Sequence, residues 1–307
     1  MPGPQTTRRV GVIVKALVAA LVAADLLVIL PDMRYLLAAL MTRRSGCPLF
    51  TGARSLKEVA RFSAARDRVT ASTRLVREDG DYRLWTTPMG LFWLPAGSDG
   101  LLPFLLAEQE MQIYGDHNLG ARPGDVVLDC GAHVGAYTQE ALRAGARLVV
   151  AIEPAPENLE CLRRNLAEEI ASGRVVVYAK GVWDQKATLL LQQSRSNSGM
   201  DRIATDASAG GVPVELTTID ALVAELGLHG VDFIKMDIEG AERRALAGAR
   251  ATLAAWRPRL AIASYHLPDD HAVIPKIVRQ GWPGYRLQCR SCTMRDFGLA
   301  PEVLFFH

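Results

Sequence analysis

Carboxylates and one imidazole recur in this 307-residue chain directly after short apolar runs. Asp129 follows Val126-Val-Leu128, Glu153 follows Leu148-Val-Val-Ala-Ile152, and Asp237 with Glu239 follows Val231 to Met236. His266 follows Leu260-Ala-Ile-Ala-Ser-Tyr265. Apolar runs of this length read as buried strands, and in an open parallel sheet the reacting groups gather at the carboxyl ends of the strands. His266 has the side chain whose ordinary pKa, about 6.5, suits proton abstraction at neutral pH, and Asp237 or Glu239 could orient it. A plainer reading stands beside this one. Acids ahead of a helix also serve its N-terminus, and a histidine at a strand end is often a hydrogen-bonded structural residue.

Asp129-Cys-Gly131-Ala132-His133-Val-Gly135 adds a binding function. Gly131 and Gly135 allow a tight turn and close backbone approach, and the helix that follows points its first N–H groups at whatever lies there. The next strand ends in Glu153-Pro154, where an acid can accept both hydroxyls of a ribose. A dinucleotide site normally has G-x-G-x-x-G, and the middle glycine that admits a pyrophosphate is missing here. A nucleoside without phosphate therefore fits better, and Asp129 would suit a cationic amino group and repel a phosphate.

Four stretches together resemble the FkbM family of S-adenosylmethionine-dependent methyltransferases, from about residue 124 to 301. They are Asp129 to Gly135, Glu153-Pro-Ala-Pro-Glu-Asn158 with Asn165, Thr218-Ile-Asp220, and Phe233-Ile-Lys-Met-Asp-Ile-Glu-Gly-Ala-Glu242. The resemblance implies a class I methyltransferase fold, an α/β Rossmann-like, mainly parallel sheet with an antiparallel C-terminal hairpin. It implies S-adenosylmethionine as cofactor, held by Asp129, Gly131, Ala132, His133, Gly135, Glu153 and Pro154. It also implies O-methylation of a small-molecule or glycan hydroxyl without a metal, and the strand-end residues His266, Asp237 and Glu239 are the expected catalytic groups. One departure matters: members commonly carry Glu at the end of the fifth strand, where this chain has Ser264-Tyr265-His266. Two rival classes stay open, an NAD-type oxidoreductase and a non-catalytic, membrane-associated interaction protein on the same fold.

The elements that must position these residues alternate regularly. Strands are expected to Asp129, to Ile152, over 174–179, 214–216, 231–236 and 259–264, with helices to Ala144 and over 156–170, 241–254 and 268–280. Two terminal strands, 285–289 and 303–306, would close the hairpin. Residues 122–307 would form the cofactor domain. Residues 46–121 would be a pre-domain covering the substrate side, with a helix over 55–68, a hairpin around Asp79-Gly80-Asp81 and a helix over 99–114 with Glu108 and Glu110 on its polar side. Two polar stretches, 194–199 and 206–211, read as loops fit for a lid.

Residues 1–45 are apolar and end in Arg43-Arg44. Val10 to Leu30 has spanning length but contains Lys15 and Asp25, so the segment reads as a shallow hairpin or interfacial anchor, with oligomer-interface helices as the alternative. Over residues 1–70 there are 11 Lys or Arg against 4 Asp or Glu, leaving −5 for the rest of a chain whose net charge is +2. That asymmetry suits an anionic membrane surface and gives no case for nucleic acid. Five cysteines, an odd number, suggest no disulfide framework and a reducing, cytoplasmic setting at the inner face of the membrane. Cys289-Arg-Ser-Cys292 lacks a second pair and reads as two incidental thiols rather than a zinc site.

Overall fold

The computed structural model describes residues 47, 49–194, 196–204, 210–295 and 298–307. The expected N-terminal anchor over 1–45 and most of the expected loop over 206–211 lie outside them. Among the described residues no helix is long and apolar enough to cross a membrane.

The chain enters through α1 (Leu49–Ser72), followed by three antiparallel strands, β1 (Arg74–Asp79), β2 (Tyr82–Thr87) and β3 (Gly90–Pro95). The first two form the expected hairpin. The third was not expected from sequence, because Gly90-Leu-Phe-Trp-Leu-Pro95 lacks a clean alternation: its last four residues are all buried. A single 3₁₀ turn, Asp99–Leu101, then leads into α2 (Leu102–Glu110). Glu108 was expected on the polar side of that helix but is buried.

Seven strands make the main sheet: β4 (Val126–Cys130), β5 (Leu148–Ile152), β6 (Val175–Tyr178), β11 (Phe233–Met236), β12 (Arg259–Ala263), β13 (Leu287–Cys289) and β16 (Val303–Phe306). Their spatial order is β13-β16-β12-β11-β4-β5-β6. All pairings are parallel except those of β16, which runs antiparallel to both β12 and β13. Near-continuous Val, Leu and Ile in these strands is what a sheet covered on both faces requires. The covering helices are α3 (Ala136–Arg143), α4 (Pro156–Asn165), α5 (Ala167–Ala171), α6 (Ile219–Glu225), α7 (Glu242–Ala247), α8 (Arg250–Trp256) and α9 (Asp270–Gly281). This is the class I methyltransferase arrangement, with the antiparallel strand inserted next to the last parallel one.

Two long expected helices are broken. The 156–170 helix breaks at Leu166, which turns inward and is wholly buried. The 241–254 helix breaks at Gly248, where a Cβ would lie 2.2 Å from the carbonyl oxygen of Trp183. A four-stranded side sheet, β7 (Gly181–Val182), β8 (Ala187–Gln192), β9 (Arg202–Ala204) and β10 (Val212–Thr217), fills the stretch after β6. A further hairpin, β14 (Cys292–Arg295) and β15 (Gly298–Pro301), lies between the two terminal strands and was also not expected.

The pre-domain packs on the sheet's helices rather than standing apart. Phe92, Leu94, Leu102 and Leu106 share one core with Val134, Ala136 and Cys161. Asn165 locks this contact: its Oδ1 accepts from Trp93 N–H at 2.6 Å, and its Nδ2 donates to the carbonyls of Trp93 (3.0 Å) and Val134 (2.8 Å). The cysteine expectation is corrected. Cys47 and Cys292 form a disulfide across 245 residues, so Cys292 is no incidental thiol. Disulfides persist mainly in oxidising surroundings, which argues against inferring a reducing compartment from the odd count.

Candidate active site

The sheet's winding reverses between β4 and β11, and such a switch point opens a crevice at the carboxyl ends of the strands. Gly131 closes its floor. It has φ +78°, and a Cβ there would fall 1.9 Å from the carbonyl oxygen of Asp237, so a side chain would drive the two strand ends apart. Gly135 acts elsewhere, since a Cβ would meet Leu166 at 2.8 Å and its absence lets the loop sit on the end of α4. Above the crevice is a pocket of about 930 Å³ including its open mouth, lined by Gly131, Ala132, His133, Glu153, Pro154, Asp237 and Glu239 among others.

Glu153 is buried at the end of β5, and its oxygens accept from His133 N–H and Ala155 N–H, each at 2.9 Å. Burial nevertheless pushes its pKa up to about 7. His133, in a left-handed conformation (φ 52°), lies with Nε2 2.8 Å from Ser198 Oγ, and burial pushes its imidazole down to about 3, so it is neutral. Ser198 belongs to the stretch expected to form a lid. Here it is buried and built into the pocket wall, its N–H donating to Ser98 Oγ and its carbonyl accepting from Asn158 Nδ2.

Two of the expected site residues sit in surroundings that the sequence did not show. Asp129 does not line the pocket: it is fully buried, 3.2 Å from Lys235 Nζ, and accepts from Thr138 Oγ1 at 2.7 Å. Its Oδ1 makes the ion pair with Lys235 and its Oδ2 the hydrogen bond with Thr138. Lys235 also donates to the Gly131 carbonyl at 2.8 Å, and Asp129 and Asp237 outweigh burial and keep it protonated. His266 is the second. It is 9% exposed and faces three carboxylates, with Nδ1 3.0 Å from Glu242 and Nε2 3.5 Å from both Asp237 and Glu239. Burial alone would lower its pKa, but these acids push it up to about 11. In this structure His266 therefore stands as a cationic partner of the three acids.

Sequence reasoning missed the tyrosines. Tyr114 donates to Asp237 Oδ2 at 2.5 Å and Tyr265 approaches both oxygens at 3.4 Å. Burial would raise the Asp237 pKa, yet His266, Lys235 and these hydroxyls hold it below the usual carboxylate range. Ser264 is buried and donates to the Pro301 carbonyl, and it is not among the residues that line the pocket. Nothing in the local sequence marks Tyr114, which arrives from the pre-domain 123 residues away.

The pocket's charge discriminates between cofactors. Glu108, Glu153, Asp201, Asp237 and Glu239 line it, with burial raising Glu153 to about 7 and Asp201 to about 6, and among the described residues its single Lys or Arg is Lys235, already paired. Such a wall repels a pyrophosphate and favours a ligand that carries positive charge, as a sulfonium and an ammonium do. The residues present therefore fit S-adenosylmethionine and fit a dinucleotide poorly.

Comparison with known proteins agrees. Residues 129–286 match the family described as the methyltransferase FkbM domain. The 31-O-demethyl-FK506 methyltransferase FkbM of Streptomyces tacrolimicus is 31% identical over 183 residues, 50% of this chain and 70% of that protein. Among solved structures, a methyltransferase FkbM from Methylobacillus flagellatus is 18% identical with a TM-score of 0.46, covering 83% of this chain but only 60% of its own. A precorrin-6y C5,15-methyltransferase from Geobacter metallireducens is 14% identical with a TM-score of 0.37, covering 64% of this chain and 85% of its own.

Proposed function

Because the chain belongs to the FkbM methyltransferase family, we propose that it transfers a methyl group from S-adenosylmethionine to a hydroxyl oxygen of a glycan, glycolipid or other secondary metabolite. When bound, S-adenosylmethionine supplies an electrophilic methyl on a sulfonium. Glu153 accepts the ribose hydroxyls, and the Gly131-Ala132-His133 backbone allows close approach beside it. The observation that carries the reading is the acid-rich pocket with its lysine already neutralised.

Deprotonation of the acceptor falls to the acids at the end of β11. Asp237 is fixed by Tyr114 and Tyr265 and held ionised, which makes it a positioning group. Glu239 is 27% exposed on its side chain and lines the pocket, so it is the carboxylate that takes the proton. Its left-handed backbone (φ 53°) costs about 1–2 kcal/mol, a strain that aims the residue where the fold alone would not. General-base help of this kind is worth about 10²- to 10⁴-fold, with positioning of the two reactants supplying much of the remainder. The basic, apolar first 45 residues support presentation of a membrane-borne acceptor.

The test is transfer of an isotope-labelled methyl group from S-adenosylmethionine to a panel of hydroxylated glycans, glycolipids and polyketides, with the product read by NMR. An O-methyl resonance on any acceptor supports the reading. Methylation only at nitrogen or carbon overturns it.

A further inference from the structure

Around His266 the structure gathers more negative charge than the proposed chemistry uses. Asp237, Glu242 and His266 each place one ligand atom within 4.8 Å of the other two, and Glu239 stands 3.5 Å from His266 Nε2. His266 meets these acids as an ion-pair neighbour, with neither nitrogen in hydrogen-bond geometry and its side chain 9% exposed, and Glu242 Oε2 has no hydrogen-bond partner although Glu242 is 0% exposed. The other oxygens are occupied and so pre-aimed: Asp237 Oδ2 accepts from Tyr114, and Glu242 Oε1 accepts from Ile238 N–H at 2.9 Å. Outer contacts of this kind orient the ligands of metal sites.

We propose that Asp237, Glu242 and His266 form a binding site for one divalent cation at the edge of the active-site pocket, the ion displacing to solvent the proton that His266 holds among these acids when no ion is there. Two carboxylates and one imidazole are a hard, mixed donor set, suited to an ion of the Mn²⁺ type and short of the donors that would enclose it. Asp237 and Glu239 are the members of the cluster that line the pocket, which puts the site at its edge. There the ion would coordinate the acceptor's oxygen and lower its pKa, and Glu239 would take the released proton. That use of the ion rests on the methyl-transfer reading, but the binding of the ion does not.

The experiment titrates Mn²⁺ into the chelator-stripped full-length protein and follows loss of the free-ion signal by electron paramagnetic resonance. One ion per chain is expected, with affinity at least ten-fold weaker in His266→Ala and in Glu242→Gln. Calorimetry with S-adenosylhomocysteine, with and without chelator, serves as the control: unchanged cofactor affinity in a variant shows that it is folded. No saturable binding of Mn²⁺ or Zn²⁺ overturns the site, and so does binding that both folded variants retain. In either case a protonated His266 is the cation that neutralises the cluster. Loss of cofactor binding by the wild-type protein would sink the methyl-transfer reading instead, with the ion titration left intact as a separate result.

Discussion

Glu153 combines a buried position with two backbone donors, and the burial wins: the carboxyl titrates near 7 instead of its ordinary 4.5. The folded chain thus holds a proton that the unfolded chain has already lost. Stability from this group is fully present below pH 4.5 and is lost as pH rises through 7, a penalty of about 3 kcal/mol in the free protein. Glu153→Gln should flatten the pH dependence of chemical unfolding across that window, and an unchanged slope would reject the assignment. Ribose hydroxyls favour the ionised carboxylate, so S-adenosylmethionine should bind more tightly as pH rises through 7. In Glu153→Gln that trend should vanish and affinity should fall by about 1–3 kcal/mol, measured by calorimetry. Glu239→Gln should leave cofactor affinity near the wild-type value and lower turnover on an identified acceptor by about 10²-fold or more; near-native turnover would remove Glu239 as base.

Helices and strands hold these groups through a few contacts that each tie two elements. Gly131 lets β4 end within touching distance of the end of β11. Gly131→Ala should therefore destabilise the fold by about 1–3 kcal/mol, through a left-handed backbone and a Cβ against the Asp237 carbonyl, and should abolish cofactor binding. Asn165 plays the same part between α4 and β3. Asn165→Ala strips partners from the Trp93 and Val134 backbone and should cost about 2–4 kcal/mol, read as a lowered denaturation midpoint, with the pre-domain becoming the first region to exchange its amide hydrogens. If exchange rises uniformly instead, the contact is not the joint between the two regions. At Asp220 a similar tie is visible: its carboxylate accepts from the Ala251 and Thr252 N–H groups at the start of α8, while Thr218 Oγ1 caps α6.

For the molecule as a whole, the disulfide between Cys47 and Cys292 connects the entry to α1 with the C-terminal hairpin. Closing so long a loop restricts the unfolded chain, so reduction or Cys292→Ser should cost about 2–4 kcal/mol, seen as a lower melting temperature under reducing conditions. A melting temperature indifferent to reductant would contradict that. The charge asymmetry predicts a second whole-molecule property. The full chain should float with anionic liposomes in a salt-sensitive way, whereas a chain beginning at Gly46 should lose that association and retain S-adenosylmethionine binding. Equal flotation of the two would assign the association, if any, to the folded part.

By itself the sequence determined the alternation of strands and helices, the glycine turn after β4, and the acids at the ends of β5 and β11. These are local properties: apolar periodicity, turn chemistry and strand-end polarity act within a few residues. The resemblance in Asp129 to Gly135 and Phe233 to Glu242 reached the family for the same reason. Only the tertiary structure decided what each group can do. Asp129 is paired with Lys235 on the neighbouring strand, and Asp237, Glu239 and Glu242 converge on His266. The clamp of Tyr114 on Asp237, the break at Gly248 and the Cys47–Cys292 bridge were equally hidden. A pKa, a close approach and a cross-link are set by distances between residues far apart in the chain, and those distances exist only once the chain has folded.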